Sequence, residues 1–145
     1  MKLTRLLQAC LCFGYCVITT GLADNKPELI QHLPRSIVIV NSHTTDSIRC
    51  QFVLAHFVTY DFEKVLPNDT LSIPVILRQS DRTIFYVYSG KRMAVEDLFC
   101  GLDAHWSLTR KELTLTPLQS MLGKSLGFDC GLDSDLFCAY VTPED

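Results

Sequence analysis

Ile48-Arg-Cys-Gln-Phe-Val-Leu-Ala-His-Phe-Val-Thr-Tyr60 is the longest strand-like run in the chain, and the fold class turns on it. Ile48, Cys50, Phe52, Leu54, His56, Val58 and Tyr60 share one face at period two, and that face is almost wholly apolar. Arg49, Gln51, Val53, Ala55, Phe57 and Thr59 share the other, which starts polar and turns apolar. Val, Phe, Thr and Tyr suit a pleated, half-buried surface better than a helix, where their χ1 freedom is lost. A helix continuing through Phe62 and Val65 would lack a clean 3.6-residue stripe. As one strand the run would be about 40 Å long, so a bulge or a switch between sheets is expected within it.

Shorter strands are expected on both sides. Ser36–Asn41 is apolar and ends in the polar turn 42–47, so it is expected to form a hairpin with the long strand. Leu71–Leu77 alternates, with Pro74 marking an edge or a bulge. Thr83–Tyr88 and Met93–Cys100 flank Ser89-Gly-Lys-Arg92 and predict a hairpin. Ser107–Thr116 suggests one more strand, Phe128–Asp135 an acidic loop, and Leu136–Val141 a final strand. Thr116-Pro-Leu-Gln119 has the punctuation of a helix start, and Gly123 a stop. Asn68-Asp69-Thr70 fits a glycosylation acceptor, although a proline-initiated turn at Pro67 accounts for it more simply. Many short strands with turn residues between them predict an all-β fold, a small disulfide-stabilised β-sandwich or barrel with one short helix.

The N-terminus points to export. Lys2 and Arg5 precede an apolar run from Leu6 to Ile18, and Gly21 and Ala23 supply small residues before Asp24. That is the pattern of a secretory signal peptide over residues 1–23, too short for a membrane span of about 20 apolar residues. A polar arm over 24–35 and a single β-rich domain over 36–145 follow. The leader carries two of the 13 basic side chains and none of the 16 acidic ones. The mature chain therefore holds 11 against 16, a net charge of −5. That balance argues against nucleic acid or an anionic membrane as partner.

Cys10, Cys12 and Cys16 leave with the leader, so Cys50, Cys100, Cys130 and Cys138 remain. In an exported chain four cysteines predict two disulfides, with Cys50–Cys100 and Cys130–Cys138 the preferred pairing. No CxxC or HxxxH pair suggests a metal site, and no cofactor is expected. His32, His43, His56 and His105 are the candidate bases, but no nucleophile elbow accompanies them, and Glu96 and Asp97 are adjacent in a strand and face opposite ways. Asp129, Asp133 and Asp135 lack the spacing of a calcium loop. A binding patch is expected instead from Ile84, Tyr86 and Tyr88, if that face of their strand meets solvent, with Trp106 as a further aromatic. These features predict an exported, periplasmic or extracellular, non-catalytic accessory protein that recognises a protein partner. The alternatives are a secreted hydrolase built from scattered His, Asp and Glu, and a carbohydrate-binding module using Trp106.

Overall fold

The computed structural model describes residues 31–120, 124–132 and 136–141. The expected leader, residues 24–30 of the polar arm, Gly123, Asp133 and Asp135 lie outside the described residues. Alternating apolar and polar side chains build the strands β1 (His32–Asn41), β2 (Ile48–Leu54), β3 (Val58–Asp61), β4 (Thr70–Arg78) and β5 (Ile84–Tyr88). They continue with β6 (Lys91–Leu102), β7 (Lys111–Glu112), β8 (Ser125–Leu132) and β9 (Leu136–Val141). Two short helices, α1 (Trp106–Thr109) and α2 (Thr116–Ser120), lie between β6 and β8. The expected strand over Ser107–Thr116 is thus replaced by α1 and the two-residue β7. The β1 strand starts at His32, within what the sequence presents as a polar arm.

The strands run in the order β3-β2-β6-β5-β4-β1-β8-β9, with β7 on β6. All described neighbours are antiparallel except β1 and β8, which run parallel with Ser36 opposite Ser125. The long β6 belongs to both halves of the molecule. Lys91–Ala94 pair with β5, and Val95–Leu102 pair with β2. The two halves share one core. Ile37, Ile39, Ile73, Val75, Leu77, Leu126 and Phe128 enter it from one side, and Ile48, Phe52, Leu54 and Leu98 from the other. The architecture is therefore an open sandwich; β3 and β9 end the sheet without meeting, which rules out the barrel.

The run from Ile48 to Tyr60 is a hairpin and not one strand. The chain reverses at Ala55–Phe57, and Leu54 faces Val58, Phe52 faces Tyr60 and Gln51 faces Asp61. Reversal is compatible with the period-two pattern because the loop contains three residues: even-numbered side chains stay on the core face in both arms. The left-handed backbone of His56 (φ 63°) and Phe57 (φ 59°) makes the turn. A second correction concerns β1 and β2, which do not pair. Residues 42–47 instead carry the chain from one half of the sandwich to the other, anchored by Asn41. This fully buried amide donates from Nδ2 to the carbonyls of Asp46 (3.0 Å) and Val65 (2.9 Å) and accepts from the His43 N–H at 3.0 Å.

The acidic loop expected from Phe128 is largely strand. Leu126, Phe128 and Cys130 are buried, while Ser125, Gly127, Asp129 and Gly131 alternate outward. Pro74 behaves as an interruption on one flank only. The β4 strand pairs with β1 along its length, but its ladder with β5 covers just Ile76–Phe85 and Leu77–Ile84 before the strands part at the residue lacking an N–H. The expected β5–β6 hairpin forms with a tight loop, Ser89 (φ 49°) and Gly90 (φ 75°), the left-handed pair that matches strand twist.

Both expected disulfides form, Cys50–Cys100 between β2 and β6 and Cys130–Cys138 between β8 and β9. Each joins residues directly opposed across neighbouring strands, with Cα atoms 4.2 and 3.9 Å apart. Loop-closure entropy assigns about 4 kcal/mol to the first and about 2.5 kcal/mol to the second, since the first closes the longer loop. Formed disulfides of this kind belong to an oxidising environment. No described helix is long and apolar enough to cross a membrane.

Candidate binding surface

The face of β5 bearing Ile84, Tyr86 and Tyr88 turns inward. Ile84 is buried, and the two tyrosines are half-buried in an aromatic cluster. Tyr86 meets Phe52 at 5.4 Å, Phe62 at 5.7 Å and Tyr60 at 5.1 Å, and Tyr88 meets Tyr60 at 5.7 Å, all between ring centroids. These side chains join the two halves of the sandwich, so Ile84, Tyr86 and Tyr88 form an inner wall and not the solvent-facing patch. Burial, with a hydrogen bond to Tyr60, pushes the Tyr86 phenol up to about 12. Solvent meets the opposite side of β5, where Val87 is 51% exposed.

Trp106 lies apart from the tyrosines. The Arg49 guanidinium sits 5.0 Å from the centre of its ring, and the ring packs on Gly101 at the end of β6. A Cβ at Gly101 would come within 3.0 Å of Trp106 Cε3 and 2.9 Å of the Arg110 backbone, so only glycine permits this close approach. Arg49 also bonds Asp61 through Nε at 3.2 Å and Nη2 at 2.8 Å, while Gln51 Nε2 donates to the same carboxylate at 2.7 Å. The Arg49 hydrogen bond leads in holding Asp61 below the ordinary carboxylate range. The pair braces the outer face of the β2–β3 hairpin.

The candidate bases occupy separate elements. His32 begins β1, His43 lies in the crossing loop, His56 in the β2–β3 turn and His105 in the turn before α1. His43 holds the crossing loop in shape, because its Nδ1 accepts the N–H groups of Asp46 at 2.8 Å and Thr45 at 3.2 Å. The same Nδ1 lies 3.3 Å from Asp46 Oδ2. Glu96 points to solvent on β6, and Asp129 accepts the Ser42 hydroxyl. Among the described residues no three His, Cys, Asp or Glu side chains are grouped to hold a metal.

Phe57 is the residue the sequence pattern hides. It is 89% exposed, at the tip of the β2–β3 hairpin, with the exposed His56 beside it. A bulky residue with positive φ is an outlier among folded chains, and two in succession without Gly or Asn are more so. Below the tip the hairpin is stiff: Cys50–Cys100 ties β2 to β6, the Arg49–Gln51–Asp61 contacts brace one face and Phe52, Tyr60 and Phe62 pack the other. No Gly, Pro, Asn or Asp within Ala55-His56-Phe57 signals the turn. Against family models, curated proteins and solved structures, the chain matches none.

Proposed function

We propose that this chain is a non-catalytic recognition protein of an exported, oxidising compartment, and that it binds another protein through the β2–β3 hairpin tip with Phe57 as anchor. The supporting observation is the conjunction of exposure and backbone strain at one aromatic residue. Folding alone gives no reason to hold a phenyl ring in water on a left-handed backbone, whereas an anchor entering a partner's apolar pocket does. A rigid base adds to the case, because an anchor that is already ordered loses little entropy on binding. Sugar recognition by Trp106 has weaker support, since Arg49 occupies space over the ring where a sugar would stack. The hydrolase alternative has weaker support: among the described residues the four candidate histidines lie on separate elements, and the Nδ1 of His43, the one beside an acid, already accepts two backbone N–H groups.

The test is capture from the exported fraction of the native host, using oxidised wild type and Phe57→Ser in parallel. The expected result is a stoichiometric protein retained by wild type and reduced at least tenfold with Phe57→Ser, with both baits equally folded. Equal retention by the two baits would show that the tip is not the contact.

A further inference from the structure

A cleft of about 510 Å³ opens where the start of β1, the β4–β5 turn and the end of α2 come together. That volume is within the range of small-ligand sites. Its floor is Leu33 and Leu77, which face each other across β1 and β4, and its polar lining includes Arg35, Gln79, Arg82 and Gln119. Arg35 is out of place by ordinary rules. It occupies the same alternating face of β1 as Leu33, Ile37 and Ile39, the face that supplies the core. Its Nη1 donates to the Pro34 carbonyl at 3.1 Å. Its Nε is buried and, among the described residues, is the buried side-chain nitrogen with no partner. A buried, unpaired donor on a cationic group is unfavourable and in native proteins calls for an explanation.

The charges around the cleft sharpen the case. Arg82 stands at its rim on a left-handed backbone (φ 61°) and donates to the Gln119 carbonyl. The nearest acid of that turn, Asp81, is already engaged by Arg78 through Nε and Nη2, so it does not neutralise either lining arginine. Nη1 of Arg35 is occupied and Nε is shielded, so Nη2 is the donor it offers the cleft as it stands; a turn of the guanidinium would open the Nε–Nη2 edge, the side-on fork that matches two carboxylate oxygens. We propose that this cleft binds a carboxylate carried on an apolar group, with Arg35 and Arg82 holding the oxygens and Leu33 and Leu77 beneath the apolar part. The ligand's source is a free small acid or the C-terminal end of a polypeptide. The site is independent of Phe57 and extends the molecule's role beyond recognition at the hairpin tip.

Titration of the oxidised protein with hexanoate, acetyl-Ala-Leu, acetyl-Ala-Leu amide and inorganic phosphate, followed by calorimetry and by NMR shifts at the cleft, tests this. The expected result is binding of at least one free acid, with the amide at least tenfold weaker. Binding of hexanoate identifies a small acid as sufficient, and binding of the peptide acid alone identifies a chain end. Arg35→Met and Arg82→Gln should each lower affinity tenfold or more, and Arg35→Met should melt no lower than wild type, because it removes an unpaired buried donor. Should Arg35→Met fail to fold, the exposed Arg82→Gln decides. No binding of either acid at millimolar concentration, equal binding of acid and amide, tighter binding of inorganic phosphate, or unchanged affinity in the variants would each overturn the proposal.

Discussion

Replacing Phe57 by glycine should leave the stability of the fold within about 1 kcal/mol of its original value while removing partner binding. The left-handed backbone at Phe57 disfavours a side chain by about 1–2 kcal/mol, which glycine relieves. Against this, glycine forfeits about 0.5–1 kcal/mol of unfolded-state entropy. Since the ring is 89% exposed, truncation returns only about 20 Å² to water, about 0.5 kcal/mol. The sum lies between a loss of about 0.5 kcal/mol and a gain of about 1 kcal/mol. Phe52→Ala supplies the contrast: that ring is fully buried against Phe62 at 5.0 Å and Tyr86 at 5.4 Å, and its loss should remove about 3–5 kcal/mol. Chemical denaturation of the oxidised proteins, at matched slopes, reads both. Partner affinity should fall by about 2 kcal/mol or more with Phe57→Gly, the scale of an interface anchor. A stability loss above about 1 kcal/mol for Phe57→Gly would refute the placement of that ring in solvent and the strain argument built on it.

Asn41→Ala should lower stability by about 2–4 kcal/mol, because it leaves the Asp46 carbonyl and the His43 N–H without this partner and takes a second donor from the Val65 carbonyl, which still accepts the Ile48 N–H; unfolding curves check it. Asp61 titrates below its unfolded value, so its contribution is full above about pH 4 and disappears as pH falls through the depressed value. Carboxyl-carbon NMR should show Asp61 moving up in Arg49→Ala, and no movement would dismiss Arg49 as the cause. Tyr86 runs the other way on the pH scale. Its phenol, raised to about 12, stabilises the fold fully below about pH 10 and loses that effect as pH climbs to 12. Tyrosinate absorbance should contain a late step that Tyr86→Phe abolishes.

The β class and the cysteine pairing were legible because both follow from local pattern: period-two alternation marked most strands, and the expectation of a leader carrying Cys10, Cys12 and Cys16 left four cysteines and few pairings. The hairpin at Ala55–Phe57 was hidden for a definite reason. A three-residue loop preserves the parity of the alternation, so Phe52, Leu54, Val58 and Tyr60 read as one strand although the chain reverses between them. The β8 strand was masked by Gly127, Gly131 and Asp129, residues of turns in most contexts, which here face outward beside buried Leu126, Phe128 and Cys130. The inward turn of Tyr86 and Tyr88 depends on where β3 lies in space, which no local pattern states. Arg35 gives no signal of its place because Pro34 and the polar residues before it resemble a loose arm, whereas β1 begins at His32.

The parallel pairing of β1 with β8 has a consequence for the order in which this molecule can come into being. The strand His32–Asn41 lies at the heart of the sheet, yet one of its two neighbours is Ser125–Leu132, almost the full length of the described chain away. Such distant contacts slow folding, since the connecting chain must be closed before they give any return. A chain lacking Ser125–Leu132 cannot complete that inner position, and one edge of β1 stays unpaired until the later strand arrives.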